Sequence, residues 1–173
     1  MLHAVLERHP AAPCAALRGI HATVTPERAR LKVQFRIEGD IDRLRIPPSR
    51  APRAADRLWQ HTCCEVFLAG KGGAAYREFN LSPSGEWAAY EFTRYREGAP
   101  FLIPDPGIAV RRNSGGLELE GTVPLSQETQ IALSAVIEDA DGNLSYWALR
   151  HAPGKPDFHH RESFALELGE VRH

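Results

Sequence analysis

The chain has 173 residues, 43% of them hydrophobic and 25% charged, with a formal net charge of −1. That length suits one domain able to bury a core without staples, and the near-neutral balance excludes a long-range field that would draw nucleic acid or an anionic membrane. One stretch, 18–57, carries ten Lys or Arg against five Asp or Glu, but its basic residues alternate with Leu, Val, Phe and Ile over 28–45, which is the wet face of antiparallel strands rather than a nucleic-acid patch.

The first residues, MLHAVLERHPAAPCAAL, put Glu7, Arg8 and Pro10 where a signal-peptide core would have to stay apolar, and no run approaches the ~18 apolar residues of a membrane span. The expectation is a soluble, cytoplasmic protein. Pro10 and Pro13 restrict any helix at 11–17 to a single turn. From there alternating runs predict strands at 19–25, 30–38, 41–46, 58–68, 75–81, 87–95, 107–112, 117–123, 130–138, 144–151 and 163–168. Turn chemistry separates them: Glu-Gly-Asp at 38–40, Lys-Gly-Gly at 71–73, Ser-Pro-Ser-Gly at 82–85, Asn-Ser-Gly-Gly at 113–116 and Asp-Gly-Asn at 141–143. About eleven short strands with no convincing helix between them predict an all-β fold, an antiparallel β-sandwich or a closed barrel, as a single domain over 1–173.

Three Pro-rich segments interrupt the pattern. Residues 47–56 precede the most unusual strand, 98–107 carry Phe101, Leu102 and Ile103, and 152–162 carry His159, His160 and Arg161. Loops at the rim of a rigid sandwich are common homes for binding residues. The apolar residues at 101–103 offer a surface for a protein partner or a second copy of the chain, a homodimer.

The segment 58–91 is the most informative. Its strand-like positions hold Trp59, His61, Glu65, Arg77, Asn80 and Trp87, so a sheet face there would combine indoles, an imidazole, a carboxylate, a guanidinium and an amide. Such a face suits a polar ligand with flat apolar sides, with His160 joining from a loop. On one reading Trp59, His61 and Glu65 share a ligand face; on the other Trp59 is core and His61 a satisfied buried imidazole. Arg77 and Glu78 point to opposite faces, so at most one of them joins the site. Tyr146 and Trp147 cannot both be inside, and Trp147 is the better core candidate.

The order of LWQHTCCEVFL, YREFNLSPSG, LELEGTVPL, the Asp-Gly-Asn and Tyr-Trp at 141–147, and SFALEL resembles the DOMON-like superfamily, which includes family 9 carbohydrate-binding modules. The resemblance implies a β-sandwich with its ligand on one sheet face or at the sheet's end. It also implies a saccharide or sugar-derived metabolite as ligand, held by paired indoles and by charged or amide side chains. Trp59, Glu65, Arg77, Asn80 and Trp87 would fill those roles, and a non-catalytic binding protein follows.

Cofactors are not expected. The haem-binding branch of the superfamily uses a methionine ligand, and the only Met here is Met1. A haem or metal protein built on His61 with His160 or His151 is the alternative from another class. Cys14, Cys63 and Cys64 form no disulfide framework, and the histidines lack the paired spacing of a structural zinc site. Adjacent Cys63 and Cys64 on a strand should face opposite ways.

Overall fold

The computed structural model describes residues 1–169. Its strands are β1 (Leu2–Arg8), β2 (Leu17–Glu27), β3 (Arg30–Gly39), β4 (Cys63–Ala69), β5 (Tyr76–Leu81), β6 (Trp87–Arg94), β7 (Glu97–Pro100), β8 (Ala109–Asn113), β9 (Gly116–Pro124), β10 (Gln130–Glu138), β11 (Leu144–Ala148) and β12 (Leu166–Glu167). All pair antiparallel, in the spatial order β7-β6-β5-β4-β10-β11-β1-β2-β3-β9-β8, with β12 joined to β10. The run splits into two sheets at β1. Its residues Leu2 to Leu6 pair with β2, whereas Glu7 and Arg8 pair with Ala148 and Trp147 of β11.

Period-two alternation explains the packing. Ile20, Ala22 and Val24 of β2, Leu31, Val33, Phe35 and Ile37 of β3, and Leu117, Leu119 and Val123 of β9 meet one face of the second sheet. From that sheet come Cys64, Val66 and Leu68 of β4, Phe79 and Leu81 of β5, and Ile131, Leu133, Ala135 and Ile137 of β10. The core is therefore the space between two facing sheets, which makes the fold an antiparallel β-sandwich.

The turn signals are used as expected at Ser82 to Gly85. Gly85 takes φ 92° and donates its N–H to the Ser82 carbonyl (3.0 Å), while Ser84 Oγ donates to Glu86 Oε1 (3.0 Å). Gly116 closes the β8–β9 hairpin, where any Cβ would lie 2.0 Å from the Ile37 carbonyl oxygen.

Four local expectations are corrected. Residues 41–46 are not a strand: Ile41–Arg43 forms a 3-10 turn, and because side chains three apart eclipse in such a turn, Ile41 and Leu44 both enter the core. Leu58–Gln60 is likewise a 3-10 turn, entered through Arg57 in the left-handed region, so β4 begins only at Cys63. Residues 11–17 make hydrogen-bonded turns and no helix. Strands β1 and β7 were not anticipated at all. Among the described residues, no helix is long and apolar enough to cross a membrane.

Cys63 and Cys64 do point to opposite faces of β4, and both are fully buried, whereas Cys14 is half-buried. Burial pushes both thiols well above their ordinary range, and only a thiolate attacks a disulfide reagent. Ellman's reagent should therefore titrate one thiol per folded chain, and all three after denaturation. Rapid reaction of two or more native thiols would contradict the buried placement.

Candidate ligand-binding cleft

The second sheet has an outer face, set by the residues out of phase with its core-facing ones. There β4 presents Cys63, Glu65 and Phe67, β5 presents Tyr76, Glu78 and Asn80, and β6 presents Tyr90 and Phe92. Strand β10 adds Ser134 and Val136, and β11 adds Leu144 and Tyr146. A bare face this apolar would be costly in water. The chain after Ala148 folds back over it, so that Phe158 and Phe164 pack on Phe67, Tyr76, Ala132, Val136 and Ala148 in a second, smaller core.

His159 is fixed by the same return. Its ring contacts the edges of Phe67 and Phe92, and its Nδ1 lies 2.8 Å from the Tyr76 hydroxyl. That hydroxyl already accepts the Arg96 backbone N–H (3.0 Å), so Tyr76 is placed to donate its proton to Nδ1, leaving the imidazole proton on Nε2. Nε2 faces Glu78 Oε2 at 3.7 Å. Burial, then the Arg96 charge, lower the His159 pKa to about 4, so the ring is neutral at pH 7.

The returning chain leaves part of the face uncovered, and a cleft of about 560 Å³ remains. Glu65, Glu78 and Val136 line it from the sheet, and Tyr90, Phe92 and Tyr146 supply aromatic surface. Trp59 and Gln60 reach it from the 3-10 turn, and Phe158 and His159 from the returning chain. Trp59 is 49% exposed. Arg96 and Asp56 also line the cleft, each engaged with a neighbour: Arg96 Nη2 with Asp157 at 2.9 Å, and Asp56 Oδ1 with the Tyr90 hydroxyl at 2.9 Å.

The acids are the unusual part. Glu65 is 2% exposed and Glu78 6%. Their strands are neighbours, with Glu65 opposite Asn80 and therefore diagonal to Glu78, a spacing within reach of long side chains. Burial first, and then the other acid's charge, push Glu65 well above the carboxylate range, against one opposing hydrogen bond from Ser134 Oγ at 3.2 Å. Burial raises Glu78 to about 7, with the Asn80 amide and Arg96 opposing the rise. Asn80, itself fully buried, lies close enough to Glu78 for its amide to favour the carboxylate but completes no hydrogen bond of good geometry with it, and its carbonyl oxygen has no partner. A buried amide without partners is rare and calls for an explanation.

Of the seven residues expected in the site, the structure brings Trp59 and Glu65 to one cleft and sets Asn80 opposite Glu65 on the same sheet face, behind the cleft's lining. It places the other four elsewhere. Trp87 lies in the core between the sheets, 9% exposed and opposite Leu81. Arg77, three residues from Asn80, necessarily faces the other way; its Nε donates to Glu128 Oε1 (2.6 Å) and its Nη2 to the Pro124 carbonyl (2.9 Å).

His61 pairs with Glu138 through Nδ1 at 2.7 Å, on the far side of the 3-10 turn, in a neighbouring groove with Arg45 and Arg50. His160 accepts the Glu162 backbone N–H and so caps the following 3-10 turn, Arg161–Ser163. Glu78, Tyr90, Phe92, Tyr146 and His159 were missed as a group. Parity counted from Glu65 through the 71–73 and 82–85 turns would have found the first three.

No family model matches the chain, and no curated protein matches it. Among solved structures, the chain is similar to the crystal structure of a "putative carbohydrate-binding protein" from Bacteroides uniformis, with a TM-score of 0.62 and 12% identity over 95% of this chain and 84% of the other. At that identity the likeness is one of fold: the same sandwich, reached by a largely different sequence.

Proposed function

We propose that this chain is a non-catalytic binding protein whose cleft takes a small saccharide or sugar-derived metabolite. The observation that carries the reading is the cleft itself: aromatic walls around buried carboxylates that end close to an unpartnered amide. Sugars present apolar faces that stack on rings and hydroxyls that need acceptors, and both kinds of partner converge here. The motif order resembling the DOMON-like superfamily and the carbohydrate-binding name of the structural neighbour support the same class of ligand.

Trp59→Ala tests it. The indole is half exposed and outside both cores, so its removal should leave thermal stability within ~0.5 kcal/mol of wild type. It should weaken binding by about 1 to 3 kcal/mol, the worth of a lost aromatic platform. The measurement is calorimetric titration against mono- and disaccharides. An unchanged affinity would remove Trp59 from the site, and wild-type protein that binds no sugar would end the saccharide reading.

A further inference from the structure

We infer that the ligand carries a protonated amine, as an amino sugar does, and that its ammonium group sits between Glu65 and Glu78. This rests on the binding role proposed above and specifies the chemistry of its ligand. The first support is a charge imbalance. Three carboxylates, Asp56, Glu65 and Glu78, line the cleft, against Arg96 and His159. Arg96 is committed to Asp157. Among the described residues no Lys or Arg lies within ion-pair distance of either glutamate; Glu78 has beside it the uncharged Asn80 amide and, at 3.7 Å, the His159 Nε2, in a ring that is neutral at pH 7.

Two acids buried diagonally on neighbouring strands, with no cation near them but an Arg96 already paired to Asp157, cannot both ionise cheaply. A sandwich could avoid that cost with two apolar residues. A ligand ammonium supplies the missing charge, and its N–H donors match the two carboxylates, both of which line the cleft, while the Asn80 amide, buried behind them on the same sheet face, leaves the pair short of hydrogen-bond partners within the fold. The second support is the wall. The rings of Tyr90, Phe92, Tyr146, Phe158 and Trp59 border the cleft, and a ring face attracts a cation through its quadrupole. Neutral hydroxyls would gain from the rings but would leave the second negative charge uncompensated.

Affinity should then depend on pH. Glu78 is faced by Glu65 and Cys63 of β4, by Tyr90 of β6, by Arg96 in the turn after β6, and by His159 and Asp157 of the returning chain. Burial favours the neutral forms of Glu65, Glu78, Cys63, Tyr90 and His159, whereas Asp157 is held ionised, against the cost of burial, by Tyr95 and Arg96, and of these groups Glu78 is the one that titrates at about 7. An amine must displace the proton held by Glu78, so affinity should fall about tenfold for each pH unit below 7.

The experiment is calorimetric titration at pH 7 and pH 5 with matched probes: glucose, glucosamine and N-acetylglucosamine, the three galactose counterparts, and benzylamine and choline as cations without a sugar. The expected result is that the free-amine sugars bind at least tenfold tighter than their hydroxyl and acetylated partners at pH 7, lose that advantage at pH 5, and lose it in Glu78→Gln. Glu65→Gln, also isosteric, should act the same way, with thermal unfolding of both variants confirming the fold. Neutral sugars binding as tightly as amino sugars would overturn this inference and leave the saccharide reading standing. Binding of choline or benzylamine with no sugar bound would support the ammonium and overturn the saccharide. No binding by any probe would overturn both.

Discussion

Trp87→Ala is expected to destabilise the protein by about 4 kcal/mol, the cost of truncating a large aromatic in a closed core. The indole lies between the sheets among the main core residues. Its backbone is also doubly held: the Trp87 N–H donates to the Arg53 carbonyl (3.2 Å), and the Trp87 carbonyl accepts from Ala55 N (2.8 Å). That pairing ties the Pro-rich loop to the start of β6 and limits collapse into the cavity, which keeps the cost at the high end. For a chain of this length the loss corresponds to a fall in Tm of roughly 8 to 16 °C. Urea unfolding followed by circular dichroism measures it. A loss below ~1 kcal/mol accompanied by abolished binding would return this indole to a ligand site.

Glu78→Gln is expected to do the opposite, and in a pH-dependent way. The native carboxyl titrates at about 7 against an ordinary 4.5. Between those values the folded protein holds a proton that the unfolded chain has released, so wild-type stability declines as pH rises through that window. Above pH 7 the full penalty is present, about 3 kcal/mol from a shift of this size. Glutamine cannot ionise, so the variant should exceed wild type by about that amount at pH 8 and converge toward it near pH 4.

His159 acts in the other direction. Its pKa is lowered to about 4 from 6.5, so the native ring binds fewer protons than the unfolded one and stability is lost as pH falls through 6.5 toward 4. Over most of this range the two slopes oppose one another in wild type, and Glu65 adds a decline with rising pH to both proteins, so the two curves differ in shape through Glu78 alone: the variant's advantage should be small near pH 5 and grow toward pH 8. Urea midpoints at pH 5, 6.5 and 8 distinguish the two shapes. Parallel curves for wild type and variant would mean that Glu78 is not held in a raised, buried state.

The strand pattern was largely legible because alternation and turn chemistry are local. Residues 130–138 coincide with β10, and the Ser-Pro-Ser-Gly turn and its flanking strands lie where expected. The site was less legible, for three physical reasons. Trp59 and His61 were assigned a strand's parity, whereas the chain there coils into a 3-10 turn that sends the indole to the cleft and the imidazole to Glu138. Arg77 and Asn80 were grouped by chemistry although their odd separation forbids a common face. His159 enters through a return of the chain over the sheet, a tertiary event with no periodic signature, and its neighbour His160 was named in its place. β1 has little periodic signature of its own, since only Leu6 is buried and the exposed Glu7 and Arg8 fall where the strand crosses from one sheet to the other.

The connection of the two sheets through β1 bears on how the molecule assembles. The strand's outer end, Glu7 and Arg8, waits for Ala148 and Trp147, near the opposite end of the chain. The cleft floor has the same character, since Glu65 and Ser134 are 69 residues apart yet hydrogen-bonded. Neither the joint between the sheets nor the acid pair's surroundings can form until most of the polypeptide is available. Hairpins such as β2–β3 and β5–β6 can close early and locally, while non-local pairings set the slow step, as in other high-contact-order β proteins that fold in milliseconds to seconds. During synthesis, the burial of Glu65 and Glu78 is therefore among the last events, and the chain meets the electrostatic cost of its binding site only once the rest of the sandwich is in place to bear it.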